Sequence, residues 1–225
     1  MAPLWKRFIY FIYTPIYDLI VSPIRPERRE ALELIRPIPG EKWLILGCGT
    51  GLDLEMMPQG ACITALDINP SMVLATIKRA KKANLNIDAR TMDPGSLLFK
   101  PESFDIVILH LALSKMPDPG ACLLEVARIL KPHGRISILD KFPPGRFAHI
   151  RKRPWRYRMG ETLIPGMSQE LEPLLKKANL AVKQERMDPL KSRFKTIIAV
   201  KGKNNKKPHM IKQSALEFSG AIIKG

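Results

Sequence analysis

Between Lys42 and Asp140 the chain alternates short strand-like runs with segments of helical spacing, and few folds accept that alternation. "KWLILG", "CITALDI", "IDARTMD", "FDIVILHLAL" and "GRISILD" read as strands. "LDLEMMP", "PSMVLATIKRAKKANL" and "PGACLLEVARILKP" read as helices among them. Strands that are nearly continuous in Val, Ile and Leu are covered on both faces. That predicts a doubly wound, mostly parallel α/β sheet. Further on, "SQELEPLLKKANL" predicts a helix with Ser168 at its cap. "AVKQERMD" and "FKTIIAV" predict an antiparallel strand pair at one edge. A chain of 225 residues suits one such domain with an appendage. The expected division is N-terminal amphipathic or lid helices over 1–36, the α/β domain over 37–201, and a basic, loosely ordered tail over 202–225.

The first 24 residues, "MAPLWKRFIYFIYTPIYDLIVSPI", place Trp5, Phe8, Ile9, Ile12, Ile16, Leu19 and Ile20 at helical spacing. Thr14-Pro15 has the form of a cap followed by proline at the first helical position, which predicts two short helices meeting there. Ser22-Pro23 is expected to stop the second. Another helix is expected over Pro26–Arg36. Aromatic residues with Lys6 and Arg7 suit a helix lying at a bilayer interface, and a lid packed on its own domain is the competing reading. A run of about 18 clean apolar residues is absent, so no transmembrane helix is expected. The apolar N-terminus lacks a small-residue cleavage site, so no signal peptide is expected.

The formal net charge is +16, and its location matters more than its size. Residues 141–160 contribute +7 and residues 183–212 contribute +8, leaving about +1 for the rest. Such local excess suits phosphates, whether in lipid head groups, an anionic leaflet or nucleic acid, or is a solvated surface. Cys48, Cys62 and Cys122 follow no zinc spacing and lie in apolar or glycine-rich segments. They read as reduced, buried and cytosolic, and no metal is expected.

The first strand runs into Gly47-Cys48-Gly49-Thr50-Gly51. Glycines at a strand end let backbone N–H groups approach a ligand closely. The spacing is G-x-G-x-G rather than the G-x-G-x-x-G of a dinucleotide's pyrophosphate seat. The next strand ends at Asp67, where a carboxylate can accept from both hydroxyls of a ribose. A ligand with a ribose and no pyrophosphate follows.

With Asp67 in "LDINPSM", Asp93 before "SLLF", Phe104-Asp105 in "SFDIVILHLAL" and "EVARILKPHGRISILD", the chain resembles the class I S-adenosylmethionine-dependent methyltransferases over about residues 40–141. The resemblance continues more loosely to 201. It implies a Rossmann-like fold and S-adenosylmethionine as cofactor. It places the methionine part over Gly47, Cys48, Gly49, Thr50 and Gly51, the ribose at Asp67 and the adenine against Ile68. Asp93, with Met92 beside it, would accept from the adenine amino group. His110 would lie near the sulfonium and the acceptor, with a satisfied core histidine as the other reading. Two departures stand out. Ile45 occupies a position where the family has an acid, for which Asp53 is a candidate substitute. His133-Gly134 replaces a Gly-Gly turn.

On the acceptor, the opening "YTPIYDLIVSPIRPERREAL" is similar to bacterial phospholipid N-methyltransferases and, more distantly, to quinone C-methyltransferases. The resemblance implies that Tyr17-Asp18 belongs to a helix closing over the cofactor. Tyr13, Tyr17 and His110 are the candidates for orienting the acceptor. Arg151, Lys152, Arg153 and Arg156, interleaved with Trp155 and Tyr157, are the candidates for holding a phosphate-bearing substrate. The leading expectation is methylation of a phosphatidylethanolamine-type amine by a monomeric protein peripheral to the inner face of the cytoplasmic membrane. A quinone ring comes next. A soluble small molecule, RNA as substrate, and a non-catalytic binding role stay open.

Overall fold

The structure is a computed structural model that describes residues 18–142, 166–167, 170–187 and 194–202. Seven strands form one sheet: β1 (Lys42–Leu46), β2 (Cys62–Asp67), β3 (Ile87–Thr91), β4 (Phe104–His110), β5 (Leu130–Lys141), β6 (Leu180–Met187) and β7 (Phe194–Lys201). The order is β3-β2-β1-β4-β5-β7-β6. β1 to β5 pair in parallel, and β7 runs antiparallel between β5 and β6. The expected doubly wound sheet and its antiparallel edge pair are both present.

Helices cover both faces. α1 (Arg25–Leu34) and α2 (Pro70–Lys82) lie on one side. There Leu32, Ile35 and Ala80 bury with Trp43, Ile45, Ile63 and Ile106. α3 (Pro119–Ile129) and α4 (Leu171–Lys177) lie on the other, where Cys122, Val126, Leu171 and Leu175 bury with Leu44, Leu46, Val107 and Leu109. Alternate residues of β1 therefore feed opposite cores, which is why its sequence is apolar without alternation. Local chemistry sets the helix starts. Asn69 and Asp118 cap α2 and α3 by accepting from the N–H groups of Ser71 and Ala121, each at 2.9 Å, with a proline following each cap.

Several expectations need correction. One holds: Ser22-Pro23 stops the N-terminal helix, whose α-helical residues end at Val21. It forms a 3-10 turn, Ser22–Ile24, that leads into α1, because proline fits the first turn of a helix. Burial of Val21, Ile24, Ala31 and Ile35 makes this segment a layer of the domain. α4 starts at Leu171, and Ser168 lies outside the described residues, as does 203–225. "LDLEMMP" is a 3-10 turn, Leu52–Met56. β5 starts at Leu130, with His133 in left-handed backbone (φ 63°) at its irregular beginning. Cys48 and Cys122 are buried, but Cys62 is exposed. Burial pushes the Cys48 and Cys122 thiols up to about 12, which disfavours the thiolate at both.

Candidate cofactor site

Strand order reverses at β1, whose neighbours are β2 and β4. The carboxyl ends of the parallel strands open a crevice at such a point. A cavity of about 300 Å³ lies there. The glycine turn forms its floor. Gly47 and Cys48 both donate to the Leu66 carbonyl, at 2.8 and 2.9 Å, which fastens the turn to β2. Gly47 has φ 75°, and a Cβ there would come within 2.5 Å of the Ala112 Cβ, so only glycine lets the turn pass under the loop after β4.

Gly47, Gly49, Asp67, Ile68, Met92 and Asp93, which the resemblance assigns to the cofactor, all line this cavity. Asp67 accepts from the Gly49 N–H through Oδ2 and from the Asn69 N–H through Oδ1, each at 2.9 Å. Burial pushes its carboxyl above the usual range, only partly offset by those two N–H groups and by Lys115. Ile68 is 66% exposed and offers an apolar face to a flat ring. Asp93 accepts from the Gly95 N–H at 2.8 Å, so the turn-capping role coexists with its place in the cavity wall. The opposite wall is the loop after β4, where Leu111, Ala112, Lys115 and Met116 line the cavity. Sequence reasoning missed this wall. Its only signal was a position just past a strand end, which is where such folds place ligand contacts.

The remaining residues of the turn face elsewhere. Cys48 is buried, and its sulfur accepts from the Thr76 hydroxyl at 3.4 Å. Gly51 packs against the Cα and Oγ1 of Thr76. The Thr50 hydroxyl donates to Asp18 Oδ1 at 2.5 Å. None of the three lines the cavity, so their assignment to the cofactor is corrected: Cys48 and Thr50 bond, and Gly51 packs, at the back of the turn.

His110 is corrected too. It is buried, with Nδ1 2.9 Å from Asp53 Oδ1 and Nε2 3.0 Å from Ser137 Oγ. Arg28 completes the cluster with Nη1 2.7 Å from Asp53 Oδ2. Burial would raise the Asp53 carboxyl, but Arg28 and then His110 outweigh it and hold it well below the usual range. An ionised carboxylate only accepts, so His110 Nδ1 carries a hydrogen and donates. With both nitrogens occupied inside the core, His110 does not line the cavity and takes the core-histidine reading. Asp53 likewise does not replace the missing acid at Ile45, because its two oxygens are taken by Arg28 and His110. Ile45 itself is buried in the core on the α1 side.

Asp18 sits on Thr50, not over the cavity. Tyr13, Tyr17, Arg151, Lys152, Arg153 and Arg156 lie outside the described residues. Among the described residues no cluster of metal ligands forms and no helix is long and apolar enough to cross a membrane.

Residues 44–138 match a family model described as a methyltransferase domain. The chain is 35% identical over 135 residues to the nocamycin O-methyltransferase of Saccharothrix syringae, covering 57% of this chain and 48% of that protein. It is 33% identical over 121 residues to the demethylmenaquinone methyltransferase of Tropheryma whipplei (strain Twist), covering 53% and 50%. The chain thus spans about half the length of these curated relatives. Among solved structures, a [4+2]-cyclase superposes with a TM-score of 0.70 at 16% identity, covering 86% of this chain and 94% of that one. Structures titled as S-adenosylmethionine-dependent methyltransferases share the fold as well.

Proposed function

We propose, with the methyltransferase domain of residues 44–138 as the premise, that this chain moves a methyl group from S-adenosylmethionine to a hydroxylated or quinone-like ring. One observation carries the cofactor reading. A half-buried carboxylate, Asp67, stands at the end of β2 in a cavity whose floor is the glycine turn and whose walls are apolar at Ile68, Met72 and Met92. These residues fit a ribose flanked by an adenine. The acceptor reading rests on the relatives, which are named as a nocamycin O-methyltransferase, a demethylmenaquinone methyltransferase and an O-methyltransferase of ubiquinone biosynthesis.

The bound cofactor supplies an activated methyl group on a sulfonium. The protein's tasks are then positioning and dehydration. Asp67 holds the ribose, Ile68 and Met92 cover the ring, and Asp93 receives an amino group. Lys115, exposed on the loop after β4, brings positive charge to the same cavity.

Phosphatidylethanolamine, the leading expectation of the sequence, ranks second. Its support lies in the sequence of the N-terminal segment and in Arg151, Lys152, Arg153 and Arg156, while the relatives quoted above are named for quinones and for nocamycin. A peripheral membrane location remains part of the proposal, since a prenylated quinone also partitions into membrane. The test is transfer of label from methyl-labelled cofactor to extracted cellular lipids, with demethylmenaquinone as a defined acceptor. Label in the quinone fraction supports the reading. Label confined to phosphatidylethanolamine restores the lipid assignment. Label in RNA overturns both.

A further inference from the structure

Arg79 spends its whole guanidinium behind the glycine turn. Its Nε donates to the Thr50 carbonyl at 2.8 Å. One terminal nitrogen donates to Asp18 and the other to Glu55. Asp18 returns to the turn by accepting from the Thr50 hydroxyl at 2.5 Å. Thr50 is thus gripped at its carbonyl by α2 and at its hydroxyl by the N-terminal helical segment. Three residues on, the same segment takes hold again through Arg28 and Asp53. None of Asp18, Thr50, Asp53 or Arg79 lines the cofactor cavity. Cavity and clamp therefore meet opposite sides of one seven-residue stretch, Gly47 to Asp53.

We propose that Asp18, Arg79 and Thr50 form a latch through which the N-terminal helical segment sets the conformation of the cofactor turn, so that docking of that segment and loading of the cofactor favour each other. The cofactor half of this statement rests on the function proposed above. Gly49 is the joint between the two sides. Its N–H donates to Asp67 in front, and its carbonyl accepts from Thr76, which lies on α2 one turn before Arg79. With φ of 56° at Gly49 and 80° at Gly51, the turn has few side-chain restraints of its own. The latch supplies them from outside. Any ligand that selects the latched turn must, by reciprocity, stabilise the docked segment by the same factor. Asp18 and Arg79 are positioning residues in this scheme, since neither touches the cavity.

The experiment uses the full chain and the variants Asp18→Asn, Arg79→Gln and Arg79→Lys. Arg90→Gln, in the exposed Arg90–Asp88 pair, serves as control. Hydrogen exchange is read without ligand and with S-adenosylhomocysteine, and affinity is read by calorimetry. Without ligand, Asp18→Asn and Arg79→Gln are expected to speed exchange of amides 47–53 while the control does not. Arg79→Lys keeps the charge but loses the fork, so it rescues only in part. With ligand, wild type is expected to slow exchange over residues 18–34, and the latch variants to lose that protection. Their Kd is expected to rise about fivefold to tenfold. Unchanged exchange at 47–53 in both latch variants overturns the latch. Protection of 18–34 that survives in them overturns the coupling. A wild type that ignores S-adenosylhomocysteine, with faster 47–53 exchange in the variants, sinks the proposed cofactor and upholds the latch.

Discussion

Asp67 and Asp53 both stand against the glycine turn, one in front and one behind, and their partners differ in kind. In front, Asp67 accepts only backbone N–H groups, and burial lifts its carboxyl above the usual range. Behind, Asp53 meets a guanidinium and an imidazole, which hold it below that range. A carboxylate bonded only to backbone N–H groups keeps lone pairs for a ligand that brings donors. A carboxylate whose two oxygens face fixed side-chain donors has little left to offer. The same residue type thus binds on one side of the turn and holds the structure on the other, and the partners decide which.

Removing Arg28 should break the rear side, with the largest effect of any single change considered. Arg28→Ala leaves Asp53 charged and buried without its cation, which costs about 3–5 kcal/mol. Denaturant unfolding is expected to show that loss. Replacing both, as Arg28→Met with Asp53→Leu, removes the stranded charge and is expected to cost less than the single change. A double variant as unstable as the sum of the singles would show that the pair is not coupled.

Asp67→Ala tests the front and should separate binding from stability. Two charge-assisted hydrogen bonds to the ribose are lost, roughly 1.5–3 kcal/mol of cofactor affinity. The melting temperature without ligand should hold or rise slightly, since burial disfavours the charged carboxylate that is removed. Equal affinity for S-adenosylhomocysteine in both proteins would remove the ribose from Asp67.

The front side was legible in the sequence and the rear was not, for a physical reason. Strand ends and glycine spacing are local, so Gly47, Gly49, Asp67, Ile68, Met92 and Asp93 could be placed without knowing the tertiary structure. The rear is made of pairs across the chain: Asp18 with Thr50, Arg28 with Asp53, Asp53 with His110. Periodicity carries no record of those. His110 did leave a trace. It interrupts "FDIVILHLAL", an apolar run covered on both faces, where a polar side chain needs an internal partner. Ser137, whose place in an apolar strand is similar, is one of them. Corrections at Cys48, Thr50 and Gly51 have the same root, because the motif marks a turn without saying which of its residues face the ligand.

Asp93→Ala sharpens the comparison with a smaller effect. The side chain is at the cavity wall and also caps the Gly95 N–H. Losing one hydrogen bond of each kind is expected to cost about 0.5–1.5 kcal/mol in affinity, with a similar or smaller loss of stability. A cofactor titration beside a thermal melt reads both. A stability loss with unchanged affinity would assign Asp93 to the turn alone.

Acid should divide the two sides, since their carboxyls are displaced in opposite directions. Asp67 is favoured in its protonated form by the fold. It therefore contributes stability below its unfolded value near 3.8 and gives that up as pH rises through its raised folded value. Its hydrogen bonds from two ribose hydroxyls are charge-assisted only when it is ionised. Cofactor affinity should accordingly fall as pH drops through that raised value, by about tenfold per pH unit at the steepest. Asp53 has the other sign. Its contribution is present above the ordinary carboxylate range and is lost only as pH falls through its lowered folded value. Cofactor affinity is therefore expected to fall at a higher pH than the one at which the Asp53 contribution to stability is lost. Calorimetry with S-adenosylhomocysteine from about pH 7 down to about pH 4, beside far-ultraviolet circular dichroism, should find affinity lost before structure. Asp140 is also raised by burial but bonds to Ser114 and the Lys141 N–H, so Asp140→Asn serves as control. Asp67→Asn is expected to bind more weakly and to lose most of the pH dependence, leaving that of the ligand's own α-carboxyl. If affinity in Asp67→Asn keeps the wild-type pH profile, the titrating group is another one, and the front of the turn does not bind through Asp67.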